Sequence, residues 1–327
     1  MRTAFIETLG DLARTDPRVW LVTGDLGYSV VENFETEFPE RYLNAGVAEQ
    51  NMTGVAAGIA MSGGVVFTYS IANFPTLRCL EQIRNDVCFH DADVKVVAVG
   101  GGFVYGSLGH THHAIEDLAV MRTMPGMTVV APADPIEARW ATRAILEQPG
   151  PCYLRLGRAG EPVVHDESAS GFELGKAYLT REGADVTLIS IGGMLQATLD
   201  AADLLAGKGI EARVLSMHTL KPFDGEAVLA AAHETGGIVT VEEHRATGGL
   251  GSAVSEVIAG RIAVPFARVA VPDEFGPIVG DQAYLKDAFG LNGQAIAATT
   301  EMTLRQGVAP SGTGYRKHVC HRYSASP

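Results

Sequence analysis

Glu49 opens a stretch, Asn44 to Gly64, that is otherwise small and apolar. A carboxylate there can hold or move a proton, and burial obliges it to find a partner, because an unpaired buried charge is expensive. Taken alone it is equally an ordinary first-turn glutamate favoured by the helix dipole. The second polar concentration is Gly100–His113, where a glycine-rich start leads to Tyr105, Ser107, His110, His112 and His113. Imidazoles titrate near neutrality and suit proton transfer to and from a substrate hydroxyl. Clustered histidines also suggest zinc, but no HExxH pattern and no cysteine lies near them, so no metal ligand is assigned. Arg2 and Arg158 offer the fork geometry that suits a phosphate, or else are solvated surface charge. Asp25 follows a strand at the edge where α/β sheets gather ligands. By itself it reads as a turn aspartate, and Phe74, just before a helix, reads as a core ring.

The elements that position these residues alternate. Strands are expected at Val19–Thr23, Val65–Tyr69, Val94–Val99, Met127–Ala131 and Cys152–Arg155. Helices are expected at Thr3–Arg14, Val31–Phe38, from Glu49 through Met61, at Leu77–His90 and Ile115–Arg122. A further helix opens with Asp134 as cap and Pro135 at its first position. Within the Glu49 helix, Gly54 and Gly58 stand one turn apart, so another backbone is expected to come close there. Residues 159–171 read as a linker. Beyond it, strands at Asp185–Ile191, Glu211–Ser216, Gly237–Glu242 and Phe266–Val271 alternate with helices at Met194–Ala206, Gly225–Glu234, Leu250–Ala259 and Ala295–Arg305.

The fold class is therefore α/β: two doubly wound units with parallel sheets covered on both faces. Their expected bounds are 1–160 and 173–306, joined by 161–172 and followed by a tail from 307. Gly248-Gly-Leu-Gly-Ser252 could cradle a phosphate, though it lacks the lysine of a P-loop. His318 and His321 around Cys320 are a weak metal candidate.

With 327 residues, 46% hydrophobic and 19% charged, the chain is a compact globular protein, and its net charge of −13 argues against nucleic acid or anionic membrane as partner. The amino terminus runs into an amphipathic pattern without a signal peptide, and no apolar run is long enough to span a bilayer. Scattered cysteines without CxxC spacing read as free thiols, and a cytoplasmic location is expected.

Val47-Ala-Glu-Gln-Asn-Met52 resembles the cofactor-site motif of the transketolases, thiamine-diphosphate enzymes that move two-carbon ketol groups. Gly24-Asp-Leu, Pro39-Glu-Arg-Tyr42, Glu116-Asp-Leu118 and Pro132-Ala-Asp134 continue the likeness, which extends from about Thr3 to Thr300. The resemblance implies that Glu49 hydrogen-bonds a ring nitrogen of the cofactor's aminopyrimidine and promotes the tautomer that takes the thiazolium proton. It implies that Phe74 stacks on that ring, that Ile71 replaces a second, usually aromatic wall residue, and that Asp25 lies near the cofactor. His112, in Gly109-His-Thr-His112, takes the place of a substrate-contacting histidine, with His110 as a helper. Arg158 and Arg2 match arginines that hold a substrate phosphate. Two departures stand out: Leu108 replaces an aspartate that reads a sugar hydroxyl, and Gly100 replaces a histidine.

The family's Gly-Asp-Gly motif and downstream Asn, which hold magnesium and the diphosphate, are missing. The resemblance thus implies a split transketolase, with thiamine diphosphate and Mg2+ held mainly by a separate diphosphate-binding subunit and two copies of each chain in the assembly. The alternatives are the beta subunit of a 2-oxo-acid dehydrogenase and a non-catalytic partner subunit that kept the fold.

Overall fold

The computed structural model describes residues 1–169, 171–275 and 278–307. The strands are β1 (Val19–Thr23), β2 (Tyr42–Asn44), β3 (Val65–Ile71), β4 (Val94–Val99), β5 (Thr128–Val130), β6 (Cys152–Leu156), β7 (Tyr178–Arg181), β8 (Val186–Ser190), β9 (Ala212–Ser216), β10 (Thr219–Lys221), β11 (Ile238–Arg245) and β12 (Phe266–Val271). The helices are α1 (Arg2–Thr15), α2 (Glu32–Glu37), α3 (Glu49–Met61), α4 (Leu80–Gln82), α5 (Asp117–Thr123), α6 (Pro135–Glu147), α7 (Leu195–Ala206), α8 (Gly225–Glu234), α9 (Leu250–Ile258), α10 (Gln282–Ala288) and α11 (Gly293–Gly307).

Two sheets result, ordered β10-β5-β6-β4-β3-β1-β2 and β12-β11-β8-β9-β7. Both are parallel except at one edge each. β7 runs antiparallel to β9, and β10 leaves the second half of the chain to run antiparallel to β5 in the first sheet. Neither edge was expected from the sequence. β10 is three residues long, and Tyr178–Arg181 lacks the apolar alternation that marks a strand. The β10 strand joins the halves physically, as does the hydrogen bond from the Ala131 amide to the His218 carbonyl at 2.8 Å.

Apolar strands need cover on both faces. Phe5 and Leu9 of α1 and Ile145 of α6 pack against Leu21, Phe67 and Val97 on one face of the first sheet. Met52, Ala56 and Ala60 of α3 cover Val22, Val66 and Val96 on the other, in a core that continues to Ile189 and Leu215 of the second sheet. The α6 cap is as read: the Asp134 carboxylate accepts from the Glu137 amide at 2.7 Å, with Pro135 first in the helix.

Two expectations need correction. The segment from Leu77 is not one α-helix: a 3-10 turn at Leu77–Cys79 passes through α4 into a π-helical stretch at Ile83–Cys88. Gly54 and Gly58 do not receive another backbone from within the chain, since a Cβ built at either meets nothing within 4 Å. The buried side of α3 is the Met52, Ala56 and Ala60 row, and the glycines lie on the opposite, open side. The tail beyond Gly307, with the His318, Cys320 and His321 cluster, lies outside the described residues.

Candidate active site

Parallel strands deliver their carboxyl ends to one edge, and β1, β3 and β4 bring Gly24, Ile71 and Gly100 there together. Glu49 starts α3 beside this edge and is only 2% exposed. Gly24 leaves room for it: a Cβ on Gly24 would sit 3.3 Å from Glu49 Cγ and 3.6 Å from Ser70 Oγ. The carboxylate has found its partner, because Arg78 Nη1 donates to Glu49 Oε2 at 2.7 Å. The same guanidinium lies over the Phe74 ring, 4.7 Å from its centroid, and Phe74 meets His112 edge-on at 5.3 Å. Glu49, Phe74 and His112 are thus brought together, with Arg78 between the first two.

His110 turns elsewhere. It is exposed and packs edge-on toward Phe275, 6.1 Å away. Both lie on a cavity of about 550 Å³ whose walls include Phe74, Arg78, Glu116 and Arg245. His113 is buried, its Nε2 3.2 Å from the Gly106 carbonyl and its ring edge-on to Phe103. Among the described residues no group of three or more His, Cys, Asp or Glu side chains converges as a metal site.

Asp25 adopts a positive φ of 57° and is tied to Asn44, whose side chain accepts from the Asp25 amide and donates to Asp25 Oδ1, both at 3.0 Å. Ile71 shares a smaller recess of about 190 Å³ with Arg2, Tyr28, Tyr69, Ser70 and Tyr105. Arg158 sits beyond Tyr105, its guanidinium 5.9 Å from that ring's centroid, and its carbonyl accepts from the Arg2 amide at 3.0 Å. The two arginines therefore flank one tyrosine.

Other charged groups nearby are structural. Asp117 is fully buried and pairs with Arg155 Nε at 2.9 Å while accepting from the Tyr153 hydroxyl. Arg155 also donates to the carbonyls of Ala114 and Glu243, and Glu243 Oε1 accepts from the Phe103 amide at 2.8 Å, which pins the Gly100–His113 loop to β11. The glycine cluster at 248–252 is not a vacant phosphate cradle. The Glu242 carboxylate already accepts from the Leu250 and Gly251 amides at 2.7 and 2.8 Å, capping α9. Burial pushes that carboxyl up to about 7 against those two donors.

Comparison with known proteins agrees with this architecture. Residues 1–161 match the transketolase pyrimidine-binding domain and residues 175–296 the transketolase C-terminal domain. The chain is 40% identical over 299 residues to an apulose-4-phosphate transketolase subunit of Phocaeicola vulgatus, covering 91% of this chain and 95% of that one. The chain belongs to the transketolase family. It is also 43% identical over 309 residues to the 6-deoxy-6-sulfo-D-fructose transketolase subunit SqwH of a Clostridium species, covering 94% and 95%. A solved structure described as a split gene transketolase, inactive beta4 tetramer, superimposes with a TM-score of 0.85 at 39% identity, covering 93% of this chain and 97% of that one. The chain thus takes the form of the split transketolase subunits that carry the pyrimidine-binding and C-terminal domains. These likenesses favour transketolase over the 2-oxo-acid dehydrogenase alternative.

The two departures from the transketolase pattern acquire physical content. Leu108 is 56% exposed at the end of a 3-10 turn. Gly100 has a φ of +91°, and a Cβ there would fall 2.2 Å from Cε2 of Tyr105. The Tyr105 ring fills the space that a side chain at position 100 would need. Arg78 and Ser70 are site-edge residues that sequence reasoning passed over, and Tyr105 was named in its loop without a role. Arg78 and Tyr105 were visible inside polar stretches, but nothing local marks which ring or carboxylate they meet.

Proposed function

We propose that this chain is the pyrimidine-binding subunit of a two-chain transketolase, cytoplasmic, that moves a two-carbon ketol unit from a ketose to an aldose. The carrying observation is the juxtaposition of buried Glu49 with the Phe74 ring across one flat cation. A guanidinium is planar, carries N–H donors and stacks on aromatic faces. Arg78 therefore makes, on Glu49 and Phe74, the two contacts that an aminopyrimidine would make, which supports a fit of that ring to this place. Ser70 Oγ and Asn73 Oδ1 nearby are buried without a hydrogen-bond partner, two further polar atoms that a ligand could satisfy.

Thiamine diphosphate, when bound, supplies the electron sink for cleaving and forming a carbon–carbon bond. In this reading Glu49 holds a proton opposite a pyrimidine nitrogen, Phe74 and Ile71 orient the ring, and Asp25 lies at the margin of the same edge. His112 moves a proton at a substrate hydroxyl, with His110 as a helper from the cavity mouth, and Arg158 and Arg2 receive the sugar's anionic end. The names of the two relatives carry a phosphate and a sulfonate, so the substrate proposed here is a sugar ending in such a group. Magnesium and the diphosphate fall to a partner subunit, in an assembly of two copies of each chain. The open side of α3, with Gly54, Gly58 and exposed Val47 and Met61, is the surface proposed to be covered on assembly.

The test is reconstitution. The chain is purified alone and with a partner carrying Gly-Asp-Gly and a downstream Asn, and ketol transfer is followed with thiamine diphosphate and Mg2+. Turnover by the pair and none by either chain is expected. Turnover by this chain alone would sink the two-chain reading, and no cofactor-dependent transfer by the pair with any ketose would sink the enzymatic one.

A further inference from the structure

The turn that carries Phe74 also aims a side-chain amide at the histidine loop. β3 ends at Ile71, and its ladder continues one residue further, where the Ala72 amide donates to the Val99 carbonyl at 2.9 Å. The Phe74 amide then closes the turn on the Ile71 carbonyl at 2.8 Å. Asn73 lies between these two bonds, so its side chain departs from a fixed backbone. Its Nδ2 donates to the His113 carbonyl at 2.7 Å and to the Thr111 carbonyl at 3.2 Å. These are the residues on either side of His112.

Two carbonyl acceptors settle which way the amide faces, because they offer Oδ1 no donor. That orientation leaves Asn73 Oδ1 buried without a partner. An unsatisfied buried acceptor costs stability, so stability alone does not explain this side chain.

The rest of the loop is held by other means. Its base is the bridge between Gly102 and Ala114, and Phe103 gives its amide to Glu243 and stacks on Phe289 with 5.2 Å between centroids. Among the described residues, Asn73 is the only side chain from outside the loop that hydrogen-bonds its 106–113 half. Within that half the Thr111 hydroxyl lies 3.0 Å from His112 Nδ1, so holding the Thr111 backbone also sets the imidazole. His112 Nε2 has no hydrogen-bond partner among the described residues and is the nitrogen left to meet a substrate. The ring lies edge-on to Phe74 at 5.3 Å. One residue, next to Phe74 in sequence, thus straddles His112 in space.

We propose that Asn73 is a positioning residue that fixes His112 against the Phe74 ring, with Nε2 free, by holding the carbonyls on both sides of it. The role of His112 rests on the transketolase reading; the clamp rests on the geometry of Asn73, Thr111 and His113. A general acid–base group works only within hydrogen-bond reach of its proton, so a loosened loop loses rate before it loses binding.

Two variants remove the donors: Asn73→Asp, which keeps the shape and sets a carboxylate against two carbonyls, and Asn73→Ala. In the two-chain complex, kcat with fructose 6-phosphate or 6-deoxy-6-sulfofructose should fall roughly 10-fold or more in both, with KM changed under about 2-fold. The decisive comparison is His112→Ala with and without Asn73→Ala. An effect that runs through His112 disappears once His112 is gone, so the double variant should match His112→Ala within about 2-fold. Multiplying losses, wild-type kcat in either Asn73 variant, or full turnover by His112→Ala would each overturn the proposal.

Nuclear magnetic resonance of the full chain, labelled at histidine Cε1, gives a readout without turnover. The His112 signal, identified by its loss in His112→Gln, should move in Phe74→Leu, because the aromatic ring 5.3 Å away is removed. It should also move in both Asn73 variants, while the signals of buried His165 and His218 stay in place. A fixed His112 signal, or all three moving together, overturns the clamp. Should the complex turn over neither donor, the enzymatic reading fails and these spectra alone decide on Asn73.

Discussion

Arg78 reaches Glu49 at 2.7 Å and covers Phe74 at 4.7 Å in one pose. The partners differ in exposure, with the Glu49 side chain 2% and the Arg78 side chain 47% exposed, so the pair is a buried carboxylate held by a cation at the surface. Removing the cation strands the carboxylate, which costs more than losing an exposed ion pair but less than breaking a fully buried one. Arg78→Ala should lower stability by about 2 kcal/mol in denaturant unfolding. The double variant Arg78→Ala, Glu49→Gln should recover part of that loss, because the stranded charge is gone. Equal midpoints for single and double variants would show that the unpaired Glu49 charge carries no cost, and an Arg78→Ala midpoint equal to wild type would show that the pair contributes nothing.

Glu49→Gln separates catalyst from scaffold. The amide has the carboxylate's shape and still offers Arg78 an acceptor, so the folded chain should change by under about 1 kcal/mol. The proposed proton-holding role is lost, and reconstituted turnover should fall at least roughly 100-fold, the scale of a removed general acid–base group. Unfolding midpoints and initial rates on the same preparation decide it; retained turnover points to the non-catalytic subunit.

Gly100→Ala meets two penalties at once, a φ of +91° and a Cβ 2.2 Å from the Tyr105 ring. Strain and overpacking together should cost about 3 kcal/mol. In a Tyr105→Ala background the steric part disappears and only the backbone strain, about 1 kcal/mol, remains. Additive costs from the two substitutions would mean that the ring does not rest on Gly100.

Much of the fold was legible because the chain states it locally. The helix at Pro135 carries its own cap, and Val94–Val99 is apolar except for Lys95, with every residue buried. What was not legible depends on residues far apart in sequence. β10 is a strand only because Val129 and Val130 lie beside it, and Glu242 caps α9 only because β11 ends where that helix begins. The site divides the same way. Glu49 and the histidine loop were visible as residue types, whereas Arg78 on Glu49 and Tyr105 on Gly100 exist only in three dimensions. Asp117, read in the sequence only as part of the Glu116-Asp-Leu118 likeness, is the buried partner of Arg155.

Two buried groups give the protein opposing pH responses that substitution can separate. His218 is packed under Phe172, 4.2 Å between ring centroids, and burial, then His165, hold its pKa down to about 3, against Asp224. The folded chain therefore resists a proton that the unfolded chain accepts near 6.5. Stability from this group is full above 6.5 and is lost as pH falls toward 3. His218→Phe keeps the stacked ring without titrating, so relative to wild type it should gain roughly 1 kcal/mol per pH unit as pH drops below 6.5. Glu242 acts in the other direction. Its folded pKa of about 7 exceeds the ordinary 4.5, so its contribution is present below 4.5 and is lost as pH rises through 7. Glu242→Gln, which can accept from the α9 amides with one oxygen, should gain on wild type as pH rises between those limits. Denaturant midpoints from pH 4 to 8 for the three proteins should show difference curves of opposite slope. Parallel curves would mean that neither group changes its protonation on folding.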